Sequence, residues 1–278
     1  MTFRILPVLA LATGCMTGGP RLTTTLPSVG ILGHGRVRIA ADDGSVRVTT
    51  ADIAQVQVRV ESRGYDVEKD LDMSMTPRGN EVDIVVKTRS HFAAFDFVSR
   101  SLHIDVVIPR DTEVQVDSGD GSVAVEQVAG NLDIRTGDGS VAVLGARGSI
   151  RLHTGDGSIT GRDLDGSVDA STNDGSVKLE GRFDGLAMSS GDGRLVVNAL
   201  PGSRVMQPWQ LHTGDGSVAL ALPGDLSAHI DARTRDGSVR STFPLYDTRS
   251  SRAEGDVNGG GRPIVVRTGD GSIQLTRL

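Results

Sequence analysis

One phrase recurs at a fixed interval between Asp117 and Met188: DSGDGSVAVEQVAGNLDI, RTGDGSVAVLGARGSIRL, HTGDGSITGRDLDGSVDA and STNDGSVKLEGRFDGLAM, each 18 residues long. Gly121, Gly139, Gly157, Gly175 and Gly193 follow one another at that spacing without insertion or deletion. A fixed period of this length dictates architecture, because each copy is one supersecondary unit too small to bury its own apolar face.

Within a phrase, Asp-Gly is a turn dipeptide, since glycine enters φ > 0 freely and aspartate tolerates tight turns. Period-two apolar spacing follows (Val123 and Val125, Val141 and Val143, Val177 and Leu179), which is the signature of a strand with one buried face. A second turn at Gly130, Gly148 and Gly166 leads to a second alternating pair: Leu132 and Ile134, Ile150 and Leu152, Val168 and Ala170. Each phrase therefore predicts two short strands and two turns. Stacked on one another, the phrases predict an all-β, single-stranded parallel β-helix with about 18 residues per rung. A hydroxyl recurs just before the first turn (Ser118, Thr136, Thr154, Thr172, Ser190, Thr213, Thr234, Thr268). At a half-buried corner, such a hydroxyl is expected to satisfy turn backbone groups that would otherwise be orphaned.

Around this block the pattern varies. Residues 1–14 carry Arg4 and an apolar run from Ile5 to Ala12, too short to span a bilayer and suited to a secretory signal. Ala12-Thr13-Gly14-Cys15 resembles a bacterial lipobox, although Ala12 stands where Leu is usual. Cys15 is the one cysteine of the chain, and lipidation explains an unpaired thiol in an exported protein. The expected mature protein begins at Cys15, is held to a membrane by its lipid and, with Met16 next in line, is sorted to the outer membrane. Residues 15–34 are rich in Gly, Thr and Pro and read as a tether.

The solenoid domain is expected over residues 35–278, with a first copy of the phrase at Ala41–Val48. Residues 65–101 break the pattern, with a strand at Val82, Ile84 and Val86 and an apolar HFAAFDF at 91–97. They are expected to form a hairpin or flap that caps the open end, as an exposed strand edge recruits other chains. Regular rungs occupy residues 117–192. Beyond them the spacing loosens: Gly193 to Gly216 is 23 residues, Gly216 to Gly237 is 21 and Gly237 to Gly271 is 34. Such insertions map to projecting loops. They carry Trp209, Phe243 and Tyr246, whose plainer reading is packing of a loop over the core and whose alternative is a patch for stacking on sugar or a partner. The final phrase, Pro263–Ile273, reads as the last rung.

The passage LHIDVVIPRDTEVQVDSGDGSVAVEQVAGNLDIRTGDGSV, with the later IDARTRDGSVRSTFPL and IVVRTGDGSIQLTR, resembles the bacterial putative-adhesin domain of unknown function, the DUF 4097-type β-solenoid. The resemblance runs from roughly Val37 to Leu278 and rests on a Pro-containing strand leading into repeated Ser/Thr-Gly-Asp-Gly turns. It implies a β-helix and an adhesive role named by analogy of shape. No catalytic residue carries over, and the near-perfect 18-residue spacing here is more regular than in looser members.

The sharpest chemical feature is a recurring acid: Asp43, Asp120, Asp138, Asp156, Asp174, Asp192, Asp215, Asp236 and Asp270. Carboxylates about 4.8 Å apart repel by roughly 1 kcal/mol even in a water-like dielectric. Asp120, Asp138, Asp156, Asp174 and Asp192 are thus candidates to gather a cation such as Ca²⁺. The calcium nonapeptide, however, places its Asp two residues before the apolar residue, whereas here it lies three before. The plainer reading is a solvated turn residue whose charge discourages edge-to-edge association.

Six histidines show no ligand spacing; His153 and His212 fall three rungs apart, too far to share a metal. No cofactor is expected. A formal net charge of −6 without a basic cluster argues against nucleic acid as partner. The expected role is non-catalytic: an envelope lipoprotein that binds polysaccharide or another envelope protein. The alternative is a carbohydrate-processing β-helix enzyme, whose candidate groups are Arg162, Asp163, Asp165 and Arg182, because hydrolysis needs carboxylates converging in a groove.

Overall fold

The computed structural model describes residues 21–31, 33–89, 100–245 and 247–278. Among them lie 23 strands and one four-residue helix, so the chain is all-β. It divides into two units, residues 1–139 and 140–278.

Unit 1 holds β1 (Arg21–Gly30), β2 (Arg36–Ala41), β3 (Ser45–Ala51), β4 (Gln55–Arg63), α1 (Val67–Asp70), β5 (Leu71–Arg78), β6 (Glu81–Thr88), β7 (Ser101–Pro109), β8 (Glu113–Ser118), β9 (Val123–Glu126) and β10 (Leu132–Thr136). Two parallel ladders run through it, β6–β2–β8–β10 and β7–β3–β9. Val114 pairs with Leu132 and Val116 with Ile134, equivalent residues of successive phrases. The first phrase in sequence, β2–β3, therefore sits between β6–β7 and β8–β9 rather than at an end. Antiparallel strands extend the ladders: β5 folds back on β6, β4 lies on β7, and β1 lies on β4.

The tether expected over residues 15–34 is corrected for Arg21–Gly30. This segment is β1, because Leu26 is buried and Thr23 to Leu26 pair with Val58 to Glu61. Its register shift between Leu26 and Val29 spans Pro27, and β5 carries Pro77. Proline and irregularity of this kind blunt a strand edge. The HFAAFDF segment lies outside the described residues.

Unit 2 holds β11 (Val141–Leu144), β12 (Arg147–Thr154), β13 (Ile159–Ser171), β14 (Val177–Ser190), β15 (Leu195–Ala199), β16 (Trp209–Thr213), β17 (Val218–Leu222), β18 (Ala228–Thr234), β19 (Val239–Ser241), β20 (Asp247–Arg249), β21 (Arg252–Val257), β22 (Pro263–Thr268) and β23 (Ile273–Arg277). Its parallel ladders are β12–β13–β14–β16–β22–β18 and β11–β13–β14–β15–β17–β23–β19. The final phrase, β22–β23, is thus not the last rung. It is intercalated between β16–β17 and β18–β19, and β21 covers the far side of β18 as an antiparallel strand.

Two phrases also depart from two short strands each. β13 and β14 run on through the second corner, with register shifts between Gly161 and Leu164 and between Gly166 and Ser167. Asp163 at φ 52° and Gly166 at φ 128° absorb the bend, so the pairing survives where a turn would have ended it.

The alternating residues named from the sequence all point inward. Val123, Val125, Leu132, Ile134, Val141, Val143, Ile150, Leu152, Val168, Ala170, Val177 and Leu179 are buried.

Candidate functional site

The Asp-Gly corner is built by backbone stacking. A Cβ on Gly121 would meet the Gly44 carbonyl oxygen, and one on Gly139 the Gly121 oxygen. In unit 2 the same holds for Gly175 against Gly157, Gly193 against Gly175, Gly216 against Gly193, Gly271 against Gly216 and Gly237 against Gly271, all closer than the 3.0 Å that real Cβ atoms respect. None of these glycines has positive φ; left-handed glycines such as Gly145, Gly148, Gly166 and Gly202 lie away from this corner. The expectation from turn conformation is therefore corrected. Glycine is required because successive turns touch backbone to backbone.

The corner hydroxyls close the account of polar groups. Thr172 Oγ1 donates to the carbonyls of Gly155 (2.9 Å) and Gly157 (3.0 Å) one rung back and accepts from its own Gly175 N–H (3.2 Å). Ser190, Thr213, Thr234 and Thr268 repeat this reach to the neighbouring turn. All five are buried.

Outside this corner stands the acid. Asp43, Asp120 and Asp138 are exposed on neighbouring turns of unit 1, as are Asp156, Asp174, Asp192, Asp215, Asp270 and Asp236, in that spatial order, in unit 2. Their carboxylates lean over the next turn: Asp174 Oδ1 lies beside Gly191, Asp192 Oδ1 beside Gly214 and Asp215 Oδ1 beside Gly269. The sequence reading missed the way this ridge ends. Arg235 replaces the first glycine of the phrase, and its guanidinium spans Asp270 (2.7 Å) and Asp236 (3.3 Å). The signal was present as TRDG in place of TGDG. Among the described residues no group of three or more His, Cys, Asp or Glu side chains is arranged to hold a metal ion.

The aromatic patch is corrected. Trp209 is fully buried at the start of β16, edge-on to Phe183 with ring centroids 6.1 Å apart, and it pairs in register with Ile264. Phe243 is buried as well, and Tyr246 lies outside the described residues. The insertion before Trp209 leans on β14, with Arg204 N–H bonded to Phe183 O and Met206 N–H to Asp184 O, and the strand that follows turns the indole into the core. Met206 is left exposed.

Of the carbohydrate-enzyme candidates, Arg182 forms an ion pair with Asp165, while Arg162 and Asp163 are exposed. His153 Nδ1 meets Ser171 Oγ at 2.9 Å, and His103 Nδ1 meets Ser45 Oγ at 2.5 Å. Cys15 lies outside the described residues.

Asp231 and Glu113 are among the carboxylates held below their ordinary range. Burial would raise Asp231, but hydrogen bonds and charge contact with Arg267 and Arg233 outweigh it. For Glu113 the hydrogen bonds from Arg36 dominate, against a smaller opposing effect of burial and with help from Asn131.

Residues 34–276 match the sequence model of a family described as Toastrack DUF4097. No match was found among curated proteins. Among solved structures, a "putative lipid binding protein" from Parabacteroides distasonis is similar at 12% identity and TM-score 0.52, covering 92% of this chain and 96% of that one. A "putative adhesin" from Bacteroides fragilis is similar at 10% identity and TM-score 0.46, covering 93% and 97%. A "putative cell adhesion protein" from Clostridium sporogenes is similar at 9% identity and TM-score 0.34, covering 93% and 100%.

Proposed function

Starting from a chain that belongs to the Toastrack DUF4097 family, we propose that it is a non-catalytic binding module of the bacterial cell envelope, an adhesin-type protein whose working surface is the acidic ridge at the Asp-Gly corner. The observation that carries this reading is the ridge itself: exposed carboxylates set one per turn on a backbone that cannot shift, with Arg235 already seated across its end. A row of fixed charges at constant spacing suits a repetitive partner carrying positive groups, and a charged ridge steers such a partner over distance. A polysaccharide bearing amino groups and a basic envelope protein both fit that description.

The parallel pairing of equivalent residues within each unit supports a single-stranded parallel β-helix with 18 residues per regular rung. Lipidation at Cys15 would hold the module at the outer membrane. Neutralisation of Asp165 by Arg182 argues against the enzyme alternative at that place.

The test is a glycan-array and envelope pull-down with the full chain. Saturable binding of intact glycan or of an envelope protein, weakened by salt, is the expected result. Glycan shortened during incubation, or no saturable binding to either, would overturn the reading.

A further inference from the structure

Among the described residues of 228–278, β18 pairs with β21, β21 with β20, β18 with β22 and β19 with β23. In the ladders, this cap meets the preceding rung through β22 and β23 alone: Trp209 to Thr213 pair with Ile264 to Thr268, and Val218 to Leu222 with Ile273 to Arg277. Sequence order would have placed β18–β19 on that edge. They do not occupy it, although Ile230, Ala232, Thr234 and Val239 could meet the residues that Ile264, Val266, Thr268 and Ile273 meet now. The cap is thus defined by its internal pairing and presents one finished parallel edge to the stack.

One short connection, Pro223–Ser227, joins cap and stack. It is fastened from the cap side. Asn258 Nδ2 donates to Gly224 O (2.9 Å) and Leu226 O (2.8 Å), and Arg277 Nη2 donates to Gly224 O (3.3 Å). Asn258 itself opens a run of left-handed residues, at φ 48°, followed by Gly259, Gly260 and Gly261.

We infer that residues 228–278 are an exchangeable cap, and that its β22–β23 edge docks on the β16–β17 edge of a second copy of this chain as it does on its own. Contacts made in cis and in trans are the same, so only the hinge and the chain concentration decide between them. The β16–β17 edge of a second copy carries the same residues, which makes it a partner already matched in register. The interaction is reciprocal and closes as a two-fold dimer.

The test uses the full chain with Cys15→Ser as background. Gln210 and Val265 are register partners that face outward on β16 and β22, at a separation that a disulfide spans. A Gln210→Cys chain is mixed with a Val265→Cys chain at high concentration in a glutathione redox buffer. As control, Gln210→Cys is mixed with Gln274→Cys, which lies on β23 opposite Ala219. The inference expects an intermolecular disulfide in the matched mixture at least tenfold above the control. Adding Asn258→Gly, which keeps the left-handed backbone and removes the fastening amide, should raise its rate of formation several-fold. Equal yields in matched and control mixtures, including none in both, would overturn exchange. An unchanged rate with Asn258→Gly would overturn the role of the hinge.

Discussion

The two corners of a rung obey different rules. At the Asp-Gly corner, successive turns touch through glycine backbone, a buried hydroxyl ties one turn to the last, and the aspartate faces water. At the opposite corner the chain either bends inside a strand, as at Asp163 and Gly166, or leaves in a loop of several residues, as between Ala199 and Trp209. The first corner holds the spacing of the stack, and the second absorbs variation. The chain thus fixes the surface on which a repetitive partner could be read and leaves the other corner free to change length.

The largest expected effect breaks the first corner. Gly175→Ala or Gly193→Ala forces a Cβ into a neighbouring carbonyl with no side chain able to yield. Loss of roughly 4 kcal/mol or more in urea unfolding is expected, enough to prevent folding of a marginal chain. Two glycines inserted between Pro201 and Gly202, at the other corner, should cost less than about 1 kcal/mol. Equal costs would dissolve the contrast.

Trp209→Ala comes next. It empties a fully buried site against Phe183 and should cost about 3–5 kcal/mol, measured by thermal or urea unfolding. A near-neutral result would return Trp209 to a loop. Thr172→Val removes one corner hydroxyl but keeps its shape, leaving the Gly155 and Gly157 carbonyls and the Gly175 N–H without that partner, for about 1–2 kcal/mol.

Acid has a smaller, graded effect. Asp231 and Glu113 have folded-state pKa values held below those of the unfolded chain, so the stability they add is present above the ordinary carboxylate range and is lost as pH falls through their folded values. Stability of Asp231→Asn should fall less on acidification than that of the parent chain. The smallest effect belongs to Arg235→Ala, which removes only solvent-exposed ion pairs and should leave urea unfolding close to that of the parent chain.

The sequence made some of this legible and hid the rest for physical reasons. Alternation such as Val177 and Leu179 reports burial directly, and the recurring Thr before the turn announced its bond to backbone. Rung order was hidden because β2–β3 carries the same phrase as β8–β9, and β22–β23 the same phrase as both its neighbours, so nothing in their residues says which edge they pair with. Trp209 allows both an exposed and a packed reading because an insertion precedes it, while its register with Ile264 is set by residues 55 positions on. The Asp ridge was legible as a period, but its cationic end at Arg235 depends on Asp270, which becomes a neighbour only through the intercalated rung.

The most direct measurement compares the corners as binding surfaces. One variant carries Asp→Asn at Asp156, Asp174, Asp192 and Asp215; another carries Arg204→Ser and Met206→Ser in the exposed loop. Both substitute solvent-facing side chains, so each should keep the parental melting temperature within a few degrees. Affinity for the envelope fraction or glycan captured by the parent chain is then measured at two salt concentrations. The account predicts at least a tenfold loss, with loss of the salt dependence, for the ridge variant and unchanged binding for the loop variant. Undiminished binding by the ridge variant, or loss confined to the loop variant, would contradict it.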